Sequence, residues 1–452
     1  MRTQDQDLTI KAAPTKEFFI YMLTKDIPLL RAILDLVDNC VDGALRVRTD
    51  GNYRGLRVRI TLNGERLKIE DNCGGIPVDQ AQKYAFRFGR DPLAARTDFS
   101  VGGFGVGMKR ALFKIGKLYD IESTTQSERF LVKINLDEWI KDRGPDWQFE
   151  FDSVKKVRNV PANDRGTVIT VTRLHEAVAL EFASPFFEKQ LMLAIASAHQ
   201  ESMDKGLSIA VNGNRLEFRP ALLKESDQIR PATYHWRSSD DPPISVSMWA
   251  GLGEPKESIS RAGWYIFCNA RLVLEADQTI VTGWGEEGEI TVPRFHNQYG
   301  LFRGYLALDC ADASKLPLNT TKTGVDADSP FYVSIRQEMI KRMKPVITFL
   351  NRLKEEKEGK EGQEREERRD PGPLELAVNV AALKRLPAVL SEQMFNGPKP
   401  VSKPAGPVLA RVEYYKPDNE IEVVRKKLKA RSRREVGEKT FEYFVRMECG
   451  EE

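Results

Sequence analysis

Residues 34–44 read LDLVDNCVDGA, and how this stretch is read decides the fold. Leu34, Val37 and Val41 recur at i, i+3, i+7, with Leu36 beside them, so the spacing predicts an amphipathic helix. Asp35, Asp38, Asn39 and Asp42 gather on another side, because residues three, four and seven apart share a face. Three carboxylates crowded around one amide repel one another and cost stability unless a cation offsets their charge. Two readings of the stretch stay open. It is a site for a hard cation such as Mg²⁺, which takes oxygen ligands and completes its shell with waters and substrate phosphates, or it is a solvated acidic face.

Three later stretches bear on that choice. Residues 67–77, LKIEDNCGGIP, alternate like a strand and then meet a lone carboxylate, Asp71, and a glycine pair, Gly74 and Gly75. Residues 101–116, VGGFGVGMKRALFKIG, carry five glycines, four of them ahead of a helical pattern. Such a loop brings backbone close to a ligand, and the helix it opens offers free N–H groups and a positive dipole end to phosphate. Residues 165–172, RGTVITVT, form a strand entered through Gly166-Thr167. Each signal is weak alone; four in this order are strong.

In that order the stretches resemble the motif boxes of the GHKL ATPase superfamily, which includes gyrase, MutL, the ninety-kilodalton heat-shock chaperones, histidine kinases and MORC proteins. The first box is matched by Asp35, Asn39, Asp42 and Gly43-Ala44, and the second by Asp71 with Gly74 and Gly75. The third is matched by Gly102, Gly105 and Gly107, and the fourth by Gly166-Thr167. Two positions depart from the pattern: the first acid is usually Glu and here is Asp35, and Cys73 stands where a Gly is usual.

The resemblance implies an α/β fold of the Bergerat type, an α+β two-layer sandwich, with ATP and Mg²⁺ as ligands. It implies Asp35 as general base for attack of water on the γ-phosphate and Asn39 as the Mg²⁺ ligand. Asp71 would accept from the adenine amino group, with Thr167 and Gly75 at the same edge. Gly102, Gly103, Gly105 and Gly107 would give N–H groups to the phosphates, and Lys109 would add charge. An aspartate is one methylene shorter than a glutamate, an argument for slow or absent hydrolysis. Arg87, Arg90 and Arg96 lie where the family's nucleotide lid belongs, as phosphate contacts or as a solvated loop.

The 452 residues leave room for two or three domains, and hydrophobic residues at 41% suffice for real cores. A net charge of +3 does not announce nucleic acid, so patches must carry that case. Five scattered cysteines without a C-x-x-C pair suggest reduced thiols in a cytoplasmic protein. Neither a signal peptide nor an apolar run of membrane-spanning length is expected. Four histidines, none in a helix suited to phosphoacceptance ahead of the boxes, give no sign of a histidine kinase.

Outward from the boxes, Phe18, Phe19, Tyr21 and Met22 are expected to cover the ATPase core, in a helix that stays on its own domain or crosses to a partner subunit. Asn63-Gly64 and Asn212-Gly213 predict hairpins. A helix is expected over 182–205, strands over 244–249, 263–274 and 301–310, and a helix over 330–353. This layout resembles the ribosomal-S5-like transducer domain of gyrase, MutL and MORC proteins, closest to MORC-like bacterial ATPases. That resemblance implies Lys322 as a loop lysine reaching the γ-phosphate, and nucleotide binding that closes a homodimer, on DNA by analogy.

The expected domains are 1–180 (ATPase), 181–353 (transducer), 354–407 (a charged, Pro/Gly-rich linker with a docking helix) and 408–452. In the last, a strand over 409–416 and two helices resemble a ribbon-helix-helix DNA-binding module. Lys426, Lys427, Lys429, Arg431, Arg433 and Arg434 suit a phosphate backbone; dimerisation or protein docking are the alternatives.

Overall fold

The structure, a computed structural model, describes residues 14–89, 97–101, 105–142, 147–254, 259–288, 291–319, 322, 324–361, 371–387, 391–398 and 415–449. The chain divides into two compact units, 1–398 and 399–452.

The first unit begins with α1 (Lys16–Lys25), α2 (Leu29–Val47), β1 (Arg57–Asn63), β2 (Arg66–Asp71), the short α3 (Val78–Gln80), α4 (Gly107–Ile115), β3 (Gly116–Thr124) and β4 (Glu128–Asn135). It continues through α5 (Leu136–Lys141), β5 (Ser153–Lys156), β6 (Gly166–Leu174), α6 (Glu176–Phe182), α7 (Pro185–Ala198), α8 (Gln200–Asp204), β7 (Ser208–Val211) and β8 (Asn214–Arg215). These strands make one mixed sheet in the order β5-β4-β3-β6-β2-β1-β7-β8. The β1–β2 hairpin arises as its pattern requires: Val58, Ile60 and Leu62 point inward, and Asn63 Oδ1 accepts the N–H groups of Glu65 and Arg66 at 2.9 and 3.0 Å. Ile60 and Ile69 meet as a cross-strand pair under α2. Each such buried aliphatic side chain stabilises by about 1.5–3 kcal/mol.

A second sheet follows, built from β10 (Ala232–Arg237), β11 (Ile244–Leu252), β12 (Gly263–Cys268), β13 (Arg271–Asp277) and β14 (Phe302–Cys310), after β9 (Leu222–Glu225). Its order is β10-β11-β14-β12-β13. The long α9 (Pro330–Glu361) packs Tyr332, Met339, Met343 and Phe349 into the core beneath it. α10 (Pro373–Val380) adds Leu374, Ala377 and Val378 to that core, and β15 (Ala382–Arg385) pairs with β9. In the second unit, α11 (Asp418–Leu428) and α12 (Arg433–Glu448) are joined by a turn whose Ser432 Oγ caps α12 through the Glu435 N–H.

Several expectations are corrected. The helix over 182–205 is three helices, interrupted at Ser184-Pro185 and at His199, since proline cannot continue a preceding helix. The strand over 263–274 is two strands with a tight turn at Asn269-Ala270. β7 and β8 lie beyond residue 180 yet join the first sheet, because the free edge of β1 takes β7 in parallel. In 371–398, read as a tether with a docking helix, α10 packs on the second sheet's core and β15 also pairs with β9. Of the four α1 residues expected to cover the core, Phe19 turns inward, against Phe88 and Trp147, while Phe18, Tyr21 and Met22 remain more than half exposed. Arg90, Arg96 and the strand expected over 409–414 lie outside the described residues.

Candidate functional site

A cleft of about 290 Å³ opens between α2, the turn after β2, the start of α4 and β6. Asp35, Asn39, Asp71, Gly75, Gly105, Gly107, Lys109, Thr167 and Lys322 all line it; Gly102 and Gly103 lie outside the described residues. Ile76, Met108 and Ile169 give it apolar walls, suited to the faces of a flat ring.

Asp71 forms one end. Its Oδ1 accepts the Cys73 N–H at 2.7 Å and the Thr167 N–H at 3.4 Å. Burial raises its pKa, against the pull of those N–H groups and the Cys40 thiol. A donor from a ligand would favour the charged form again. Two glycines make this end possible. A Cβ on Gly166 would sit 1.8 Å from the Asp71 carbonyl oxygen, and one on Gly75, at φ 72°, would sit 2.3 Å from that of Thr124. Gly43 on α2 faces the unusual Cys73: a Cβ on Gly43 would sit 2.9 Å from the Cys73 carbonyl oxygen and 3.1 Å from its Cβ.

The other end is built for an anion. α4 starts at Gly107 with no side-chain cap, leaving its first N–H groups for a ligand. Lys109 is buried, and among the described residues its Nζ donates to the carbonyls of Gly105 and Ala85, at 2.6 and 3.1 Å. With no carboxylate beside it among the described residues, burial pulls its pKa down to about 8. Burying this cation costs stability below pH 8, a cost relieved as pH rises towards the ordinary lysine range. A bound phosphate would hold the amine protonated. Phosphate affinity is therefore expected to fall by up to about tenfold per unit as pH rises above 8. Titration of nucleotide affinity between pH 7 and 9 checks this, and Lys109→Met should flatten the profile.

Between the two ends lies the acidic face of α2, where the reading as a solvated face is corrected. Asp35, Asp38 and Asp42 are 4, 0 and 8% exposed, and of the four residues only Asn39 is exposed. Side chains of the protein offset the crowding of the carboxylates. Arg110 Nη2 donates to Asp35 Oδ2 at 2.6 Å. Lys322 Nζ lies 2.8 Å from Asp38 Oδ2 and 3.3 Å from Asp35 Oδ1. Arg271 Nε donates to Asp38 Oδ1 at 2.7 Å.

Burial alone would raise the Asp38 carboxyl, but the Arg271 and Lys322 charges hold it well below the usual carboxylate range. For Lys322, burial works against the ammonium, and Asp38 and Asp35 outweigh it, so its pKa is raised. His199 Nε2 lies 3.3 Å from Asp38 Oδ1; burial and Arg271 push its pKa down to about 3, so the ring is neutral. Asp42, raised by burial, accepts the Val101 N–H at 2.9 Å. Lys322 was expected to come in with nucleotide; here the two carboxylates already hold it against α2.

Arg110, Arg271, His199 and Arg46, which lines the cleft near Asp71, went unread in the sequence. Arg110 carried a signal, lying on the first turn of the helix opened by the glycine loop. Arg271 and His199 carried none, since their partner is on an element far away in the chain.

Residues 27–167 match the family model described as histidine kinase-, DNA gyrase B-, and HSP90-like ATPase. The matched segment runs from the start of α2 to Thr167 and takes in both ends of the cleft, but stops short of Arg271 and Lys322. No curated protein matches the chain. The match and the mixed sheet under helices are consistent with a GHKL-type ATPase fold for this segment, which suggests ATP binding. No helix among the described residues is long and apolar enough to cross a membrane.

Proposed function

We propose that the cleft binds ATP with Mg²⁺ and hydrolyses it slowly. The observation that carries this reading is a cation with no carboxylate beside it among the described residues, Lys109, at an uncapped helix start, with a carboxylate acceptor, Asp71, lining the same cleft. The fit to magnesium rests on Asn39, the one open oxygen donor on the α2 face. No cluster of three or more His, Cys, Asp or Glu able to hold a metal ion occurs among the described residues, which suits an ion held largely by phosphates and water. Held there by Asn39, magnesium would neutralise phosphate charge. Asp71 would orient the base through its amino group. Gly105 and Gly107 would present N–H groups to the phosphates, Lys109 and Lys322 would balance charge as it shifts, and Asp35 would orient or deprotonate the attacking water.

A second reading has a specific observation behind it. Both Asp35 oxygens already face cations, Arg110 and Lys322, so both are engaged before any water arrives, and the protein would act as a nucleotide-sensing scaffold. Steady-state phosphate release separates the two. Turnover lost at least about 100-fold in Asp35→Asn, within the usual range for a catalytic base, is expected for the enzyme. Tight binding without turnover in the wild type would leave the scaffold.

At the level of the whole protein we infer a MORC-like, nucleotide-gated dimer acting on DNA, with an S5-like transducer and a C-terminal DNA-gripping module, in a cytoplasmic setting that suits its free thiols. Lys322 and Arg271 support the transducer reading, since both reach α2 from the second sheet's domain. The six basic residues of 426–434 are all exposed, although Arg433 and Arg434 pair with Asp418 and Glu438. A non-hydrolysable ATP analogue with Mg²⁺ should double the mass in light scattering. The product should bind duplex DNA with a steep salt dependence that weakens when 399–452 are removed. An unchanged mass at saturating analogue would sink the clamp.

A further inference from the structure

The turn between β12 and β13 reaches the cleft's surroundings from the second sheet. Its two central residues, Asn269 and Ala270, stand at φ 48° and 63°, the left-handed pair of a two-residue hairpin. Asn269 is buried. Its Nδ2 donates to the Ser100 carbonyl and to the Cys310 carbonyl, both at 3.0 Å, and its Oδ1 accepts the Cys310 N–H at 2.9 Å.

Two neighbouring bonds tighten the same junction. The Phe99 N–H donates to the Ala311 carbonyl at 3.3 Å, with Phe99 held at φ 60°, a conformation that a bulky residue keeps only where its surroundings fix it. On the other side, the Val101 N–H donates to Asp42 on α2. Residues 99–101, which lead into the glycine-rich stretch, are thus held between α2 and the second sheet's domain. The same turn grips α2 directly through Arg271 and Asp38.

The geometry points to Asn269 as a positioning residue that couples occupancy of the phosphate end of the cleft to the second sheet, by a route separate from Lys322. The inference rests on the nucleotide-binding reading above. Lys322 meets the cleft as a charge beside Asp35, so it answers to a terminal phosphate. Asn269 meets the backbone ahead of the loop, so it answers to any phosphate that orders residues 105–107. The path is two hydrogen bonds long, from Ser100 through one amide to Cys310 at the end of β14, the middle strand of its sheet. A route of packed and hydrogen-bonded groups is the physical form such coupling takes.

Asn269→Asp isolates the link between the two domains. Aspartate tolerates the left-handed backbone and still accepts the Cys310 N–H, but it cannot donate to the Ser100 or the Cys310 carbonyl. Asn269→Gly keeps the backbone and removes all three side-chain bonds, so it controls for any misfolding of the aspartate variant. Hydrogen exchange is followed with Mg²⁺ and ADP, which lacks the phosphate that Lys322 would read. In the wild type, ADP should slow exchange at 105–110 and also at the Cys310 amide, the latter by roughly fivefold or more, the lower end of ordinary coupling between sites. Both variants should keep the slowing at 105–110 and lose it at Cys310.

A wild type that slows at 105–110 but not at Cys310 would overturn the inference, as would an aspartate variant that responds like the wild type. A response at Cys310 to a non-hydrolysable triphosphate but not to ADP would mean that only Lys322 reports, and would overturn it too. No slowing at 105–110 in the wild type would overturn the nucleotide-binding reading, and this inference with it.

Discussion

Asp38→Ala is expected to destabilise the first unit by about 3–5 kcal/mol, the usual effect of removing one partner of a buried ion pair. Asp38 is fully buried and takes Arg271 on one oxygen and Lys322 on the other. Without it, among the described residues, the Arg271 guanidinium keeps the Leu272 carbonyl and Lys322 keeps Asp35 at 3.3 Å. Asp38→Asn should cost less, because it keeps one acceptor. Denaturant unfolding measures both. A loss under about 1 kcal/mol for the alanine variant, the range of a solvent-screened pair, would mean that water reaches this cluster.

Asn39→Ala should do the opposite, sparing the fold and removing the function. Asn39 is one residue further along α2 but points into the cleft, and makes no hydrogen bond among the described residues. Alanine is the better helix former, so stability should hold or rise by a few tenths of a kcal/mol. Mg²⁺-dependent nucleotide affinity should fall on the order of 100-fold or more, since even outer-shell partners of a metal are worth 10–100-fold. Calorimetry of nucleotide binding with and without Mg²⁺ decides it. Retained tight binding would show that the first box is misassigned. Adjacent positions on one helix thus separate a side chain that holds two domains together from one proposed to hold the ligand.

What was legible in the sequence was local. The period of 34–44 gives α2, Asn63-Gly64 gives the β1–β2 hairpin, and Gly166-Thr167 opens β6. The cleft-lining residues followed because each box lies on one element and the family pattern orders them. The charge balance was not legible. Arg110, Arg271 and Lys322 reach the α2 carboxylates from 75, 233 and 284 residues away, and no periodicity within α2 encodes that. The turn at Asn269-Ala270 was hidden for a different reason. Alanine at a left-handed position lacks the glycine that marks such turns, so two strands read as one.

The parallel pairing of β1 with β7 has a consequence for how the protein is made. Residues 57–60 take their partners from 208–211, so at ordinary synthesis rates one edge of β1 waits roughly 8–30 s for its neighbour to leave the ribosome. During that interval the nascent sheet offers an open row of N–H and C=O groups, an invitation to a second unfinished chain. Arg57 and Arg59, which point away from the core on that strand, put positive charge beside the open row and so discourage the wrong partner until the right one arrives.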